Sequence, residues 1–295
     1  MFTIENELLK VSINPNGGSM TSIYDKVNNN ELLYQPDGKS WNGQDVVIFP
    51  FVARLKDSKY EYNGNTFSMK NHGLIRYNTL ELLKQTPASI TLGFDYNEDT
   101  LKQYPYKFHF EITYSLEDNK LNIYYKIKNL DDKIIYYEFG GHPAIKTSGY
   151  EANDKFIYEN TTLKFFNDIE TKRYVLDNTG SYIINEEKVN LPKDINLNKE
   201  FITKDKTLIY DINGINNVRL FTNGYIYSFD ISEAEILALW TWPGLGDYIC
   251  VEPWWGIPDY INPNLELKDK PLIHSLKCGD EENKKYSIKI ERING

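Results

Sequence analysis

With 295 residues, 14% of them aromatic, the chain has the length and the strand-favouring composition for one large β domain or two ordinary ones. Its formal net charge of −9, with no Lys/Arg block anywhere, speaks against nucleic acid as a partner. Only Cys250 and Cys278 are present, in no CxxC pattern, so neither a disulfide framework nor a thiolate metal site is expected and both read as small buried hydrophobes.

The opening MFTIENELLKVSI has no basic region followed by an apolar run. No later segment approaches the ~20 apolar residues of a membrane span, so a cytoplasmic protein with no membrane contact is expected. Short strands are predicted at Phe2–Ile4, Leu8–Ile13, Ser19–Asp25, Tyr60–Tyr62, Thr66–Ser68, Thr79–Lys84 and Ser89–Tyr96. Glu98–Gln103 is one of few helical candidates and spans no more than a turn or two. Tyr106, Phe108, Phe110, Ile112, Tyr114 and Leu116 then alternate with polar residues. After the polar loop Glu117-Asp118-Asn119-Lys120, Leu121, Ile123, Tyr125 and Ile127 do the same. This period of two predicts an antiparallel hairpin.

Further strands are predicted at Ile134–Phe139, Thr207–Asp211, Val218–Thr222, Tyr225–Asp230, Ile236–Trp242, Tyr248–Val251 and Tyr286–Glu291. Turn signals at Asn16-Gly17-Gly18, Asp37-Gly38, Asn63-Gly64, Asn213-Gly214 and Asn223-Gly224 punctuate the series. The stretch from Gly149 to Lys204, rich in Asn, Lys and Asp, reads as a looser excursion. No linker and no fixed-period repeat divides the chain. The expectation is an all-β protein, a single large antiparallel β-sandwich over residues 1–295 with few short helices.

The chemistry concentrates in a few places. His109 lies in an alternating strand on the face opposite Phe108 and Phe110, and His274 near the C-terminus; both read as solvent-facing or structural and not as chemistry. His72, in KNHGLIRYN, stands beside Gly73 and close to Arg76. His142, in EFGGHPAIK, follows a glycine pair that interrupts the end of a strand, and Pro143 fixes the chain after it. That arrangement presents an imidazole at a sheet mouth. Glu252, in YICVEPWWGIPD, follows an apolar strand and precedes Pro253, Trp254, Trp255 and Gly256. A carboxylate between indoles is costly unless it is paired or used. Imidazole and carboxylate together make a proton-transfer pair. Arg54, in FPFVARLKD, is either a fork for hydroxyls or phosphate or a surface ion pair with Asp57.

The succession FPFVARLKD, NHGLIR, FGGHPAIK and VEPWWGIPD, with NPNGGSMTSIYDK before it and a KPL segment after it, resembles the aldose 1-epimerase (mutarotase) family, closest to its LacX-like branch. The resemblance covers essentially the whole chain. It implies a β-supersandwich with a sugar cleft, no metal or other cofactor, and interconversion of the anomers of a free sugar. Carried over residue by residue, Glu252 matches the general base, His142 the general acid, and His72 and Arg54 the groups that orient the sugar. Asp205, in TKDKTLIYD, corresponds to a sugar-binding aspartate. Galactose mutarotases proper have Asn where this chain has Ala53 and lack the tryptophan pair, which puts galactose in question as the substrate.

On this reading Glu252 takes the C1 hydroxyl proton while His142, as imidazolium, protonates the ring oxygen. One of Trp254 and Trp255 stacks on the sugar and the other packs in the core. A hexose 6-phosphate is the alternative substrate, met by Arg54, Arg76 and Lys56 or Lys59. A non-catalytic sugar-binding sandwich is the alternative function. No motif places a second carboxylate beside Glu252, the nearest in sequence being Asp247 and Asp259, which argues against a glycoside hydrolase.

Overall fold

The computed structural model describes residues 1–147, 161–197, 207–212, 215–242 and 246–293. Asp205 and the Asn213-Gly214 turn lie outside the described residues. Two large antiparallel sheets dominate. The first holds nine strands in the spatial order Asp194–Asn196, Thr162–Lys164, Asn217–Thr222, Tyr225–Asp230, Glu281–Arg292, Lys120–Asn129, Phe108–Glu117, Ser89–Asp95 and Glu81–Thr86. The second runs Ile183–Leu191, Ile169–Leu176, Thr207–Asp211, Ile236–Trp240, Tyr248–Trp255, Phe139–Gly141 and Val47–Ile48, with Ala144–Lys146 also paired to Tyr248–Trp255. Among the described residues a four-stranded sheet over residues 2–31, the hairpin Lys59–Tyr62 with Asn65–Ser68, and the long-range pair Ile135–Tyr137 with His274–Leu276 complete the β structure.

The alternation read in the sequence is the alternation of burial. Phe108, Phe110, Ile112, Tyr114 and Leu116 are all buried while the residues between them are partly exposed. Their partners Leu121, Ile123, Tyr125 and Ile127 are buried across the ladder. The register runs through Glu117 opposite Lys120, so the turn has two residues, Asp118-Asn119, and not four. Asp118 takes a φ of 50°, which a short polar side chain tolerates. The two sheets meet through aromatic rings: Trp255 stacks on Phe139 with centroids 4.6 Å apart and meets Tyr125 edge-on at 5.8 Å.

Among the described residues helix is confined to single turns. Glu98–Leu101 is capped by Asn97, whose side chain accepts from the backbone N–H of Asp99 and Thr100 at 3.0 Å each. Among the described residues no helix is long and apolar enough to cross a membrane.

Four further expectations need correction. The Gly149–Lys204 stretch is no loose excursion where it is described: Thr162–Lys164 and Asp194–Asn196 join the nine-stranded sheet, and Ile169–Leu176 pairs with Ile183–Leu191 at the edge of the other. Five consecutive residues of Ile183–Leu191 are exposed, so no alternation marks it. The glycine pair does not interrupt a strand; the break falls at Glu138, and Gly140 and Gly141 lie inside Phe139–Gly141. The glutamate strand continues to Trp255, so Glu252 sits within it. Cys278 is exposed, in the turn before the last strand, and only Cys250 is buried.

Candidate active site

The site is built on the outward face of Tyr248–Trp255. Val251 and Trp255 point into the inter-sheet core, so Cys250, Glu252 and Trp254 point the other way. Across one ladder Glu252 faces Ala238, whose methyl leaves room above the carboxyl, and Cys250 faces Trp240. Across the other, Phe139–Gly141 covers Trp254 and Trp255 while Ala144–Lys146 covers Tyr248 to Cys250. The gap between these two short strands is filled by His142-Pro143, directly opposite Glu252. His142 Nε2 consequently lies 3.2 Å from Glu252 Oε2.

Glycine is required beside the histidine. A Cβ on Gly140 would stand 2.7 Å from Trp254 Cδ1, and one on Gly141 would stand 2.5 Å from the Tyr286 hydroxyl. The pair lets the chain press onto the glutamate strand and seats His142 among Trp41, Trp240 and His72, at ring separations of 5.1, 5.5 and 5.4 Å.

His72 comes from a second loop. It has a φ of 62° and donates its backbone N–H to Ala53 O at 2.8 Å, while Ala53 N–H donates to His72 Nδ1 at 3.2 Å. Burial, reinforced by His142, Arg76 and Arg54, holds the ring well below the usual histidine range. A neutral ring accepting at Nδ1 carries its proton on Nε2, so His72 is a hydrogen-bond donor. Arg54, on the Ala53 loop, is exposed, and Asp57 pairs with Lys56 at 3.8 Å and not with Arg54.

These groups line one cavity of about 280 Å³. Trp41, Trp240, Trp242 and Trp254 form much of its wall; Arg54, Arg76, His72, His142 and Glu252 supply its ionisable groups, and Asn71, Ser181 and Thr207 add neutral polar ones. An apolar wall with few convergent polar groups is the usual build of a small-molecule site. Trp254 is the cavity tryptophan and Trp255 the core one. Asp259 and Asp247 do not line it. Lys59 is exposed and Lys56 partly so, and neither lines the cavity.

Burial decides the protonation of the central pair. Glu252 is 1% exposed and its carboxyl is pushed well above the usual range by desolvation, against the nearby Trp254 N–H and reinforced by the charge of Asp45. Desolvation likewise pushes His142 down to about 3, with Arg76 adding to the fall. Burial thus acts against the charged form of each group, the imidazolium of His142 and the carboxylate of Glu252. Apart from their mutual contact, His142 Nδ1 and both carboxyl oxygens of Glu252 have no hydrogen-bond partner among the described residues. Cys250 completes a cluster in which one donor atom from each of His142, Cys250 and Glu252 lies within 4.8 Å of the others. These nitrogen, sulfur and oxygen donors could hold a metal ion only by giving up their protons, since burial also pushes the thiol up.

Sequence reading missed Trp41, Trp240 and Trp242. ILALWTW carries a signal for two of them, because Trp240 and Trp242 share a parity with Ala238, the residue opposite Glu252. Trp41 sits in an irregular segment and gave none.

The fold places the chain among galactose mutarotase-like β-sandwich proteins. A galactose mutarotase related enzyme from Lactobacillus acidophilus superposes with a TM-score of 0.91 at 29% identity, over 99% of this chain and 97% of that one. A galactose mutarotase-like protein from Lactobacillus casei has the same fold, with a TM-score of 0.91 at 22% identity over 99% and 100% of the two chains. The sequence model of the aldose 1-epimerase family matches residues 1–271, and the chain belongs to that family of carbohydrate epimerases. Protein LacX of Lactococcus lactis subsp. lactis is 26% identical over 303 aligned positions, covering 97% of this chain and 98% of LacX.

Proposed function

We propose that the protein interconverts the α and β anomers of a hexose, with Glu252 and His142 as the proton-transfer pair. The observation that carries this reading is the 3.2 Å contact between a buried carboxyl and a buried imidazole whose other polar atoms have no partner. The C1 hydroxyl and the ring oxygen of an aldose are bonded to the same carbon, so two proton carriers a hydrogen bond apart match them.

A sugar hydroxyl donating to Glu252 stabilises the carboxylate and lets the imidazole carry the proton. Glu252 then takes the C1 hydroxyl proton as His142 protonates the ring oxygen, and the C1–O5 bond breaks to give the aldehyde. Rotation about C1–C2 and the reverse transfers close the ring on the other face. The pair ends with the one proton it began with. Each positioned acid or base contributes about 10²–10⁴ in rate. His72 Nε2–H, Arg54 and Arg76 donate to the remaining hydroxyls, Trp254 offers an indole face, and Asp205 is assigned to sugar binding by resemblance.

Polarimetry of freshly dissolved α-glucose and α-galactose, with and without protein, tests the reading. Acceleration of either is expected; binding without acceleration would leave a sugar-binding sandwich. A hexose 6-phosphate is a second reading, favoured by two guanidinium groups that line the cavity with no acidic ion-pair partner among the described residues. It requires inhibition by inorganic phosphate and a preference for glucose 6-phosphate over glucose.

A further inference from the structure

Behind the cavity wall three charged side chains are buried together: Glu138 at 0% exposure, Asp259 at 6% and Lys270 at 7%. Lys270 Nζ donates to Glu138 Oε1 and to the carbonyl of Ile257, and lies 3.8 Å from Asp259 Oδ1. The carboxyls also accept from backbone. Glu138 Oε2 takes the N–H of Val52 at 2.9 Å, and Oε1 that of Ile257 at 3.3 Å. Asp259 Oδ2 takes the N–H of Lys56 at 2.7 Å. Two backbone bonds run alongside, Glu138 N–H to Pro50 O at 2.8 Å and Asp259 N–H to Arg54 O at 3.2 Å. Gly256, at φ +129°, lets its chain close on this group, since a Cβ there would fall 2.6 Å from the Glu138 side chain.

The contacts join three stretches that each reach the cavity. Residues 50–56 carry Ala53 and Arg54, residues 256–259 carry Pro258, and Glu138 opens the segment that ends at His142. None of the three charged residues lines the cavity itself. Removed from water, such a group stabilises a fold no better than well-packed apolar side chains would, but it fixes geometry by directional bonds.

We propose that Glu138, Lys270 and Asp259 are positioning residues: the buried clamp holds residues 50–56 so that Arg54, and through Ala53 also His72, face the sugar. The proposal rests on the epimerase reading for its kinetic readout and on hydrogen exchange for a readout that does not depend on it. Lys270→Met removes the centre of the clamp. Glu138, already raised to about 7 by burial, can then take a proton and remain buried without its partner.

In Lys270→Met, KM for the accelerated sugar rises about tenfold or more while kcat changes less than about threefold, the signature of lost sugar orientation with an intact proton pair. The amides of Val52, Ala53 and Lys56 exchange faster, and those of the Phe108–Asn129 hairpin do not. Asp259→Ala, which removes only the acceptor for Lys56 N–H and the weaker charge contact, shifts the same quantities in the same direction by less, and serves if Lys270→Met does not fold. A fall in melting temperature with KM and the exchange of residues 50–56 unchanged would overturn the proposal. If the wild-type protein accelerates no sugar, the epimerase reading fails, and the clamp stands or falls on exchange alone.

Discussion

Two buried carboxyls, Glu252 in the cavity and Glu138 behind it, are equally removed from water and differently provided for. Glu138 meets an ammonium and two backbone N–H groups, and its carboxyl rests at about 7. Glu252 meets one imidazole beside an indole, and desolvation raises its carboxyl well above the usual glutamate range with no ammonium to oppose it. An unfilled buried polar group costs about 1–3 kcal/mol. The protein satisfies one such carboxyl with its own atoms and leaves the other open, and under the proposed function the open one is the carboxyl that the sugar hydroxyl fills.

The sharpest way to break this comparison is Glu252→Gln. The amide keeps the volume but cannot take a proton, so kcat falls by about 10³ while unfolding free energy stays within about 1 kcal/mol of wild type or rises, because a badly satisfied acid is gone. Rate retained with stability lost would mean that the two carboxyls had been assigned the wrong way round.

Glu138→Ala has the opposite profile. It leaves Lys270 buried without its closest counter-ion, which costs about 3–5 kcal/mol in urea unfolding. A loss under about 1 kcal/mol would show that Lys270 finds solvent or Asp259 without difficulty.

The pH dependence of stability sharpens the contrast further. Glu138 binds its proton more tightly when folded, so its contribution is present below the ordinary glutamate range and is lost as pH rises through about 7. The raised value corresponds to roughly 3 kcal/mol across that window. Unfolding curves between pH 4.5 and 8 are expected to lose less stability in Glu138→Gln than in wild type. Equal slopes would remove Glu138 from the balance.

Much of the fold was legible because its strands alternate. The Phe108–Asn129 hairpin buries one face and exposes the other, so the sequence carries the pattern directly. Ile169–Leu176 and Ile183–Leu191 escaped because an edge hairpin with little to bury has no reason to alternate. Glu252, His142, His72, Arg54 and Arg76 were found through the glycines, prolines and charges around them, and they come together in one cavity. Glu138 and Lys270 were not found. A glutamate at a strand break and a lysine near the chain's end look solvent-facing until the fold brings them 2.5 Å apart across 132 residues.

The aromatic wall has an optical consequence. Four of the chain's five tryptophans line the cavity, and Trp255 is set between the two large sheets away from it. The protein's intrinsic emission is therefore weighted toward the cavity that the proposed function assigns to the sugar. Occupancy can be followed as a change of quantum yield or a spectral shift without any added dye, with Trp255 as the steady background.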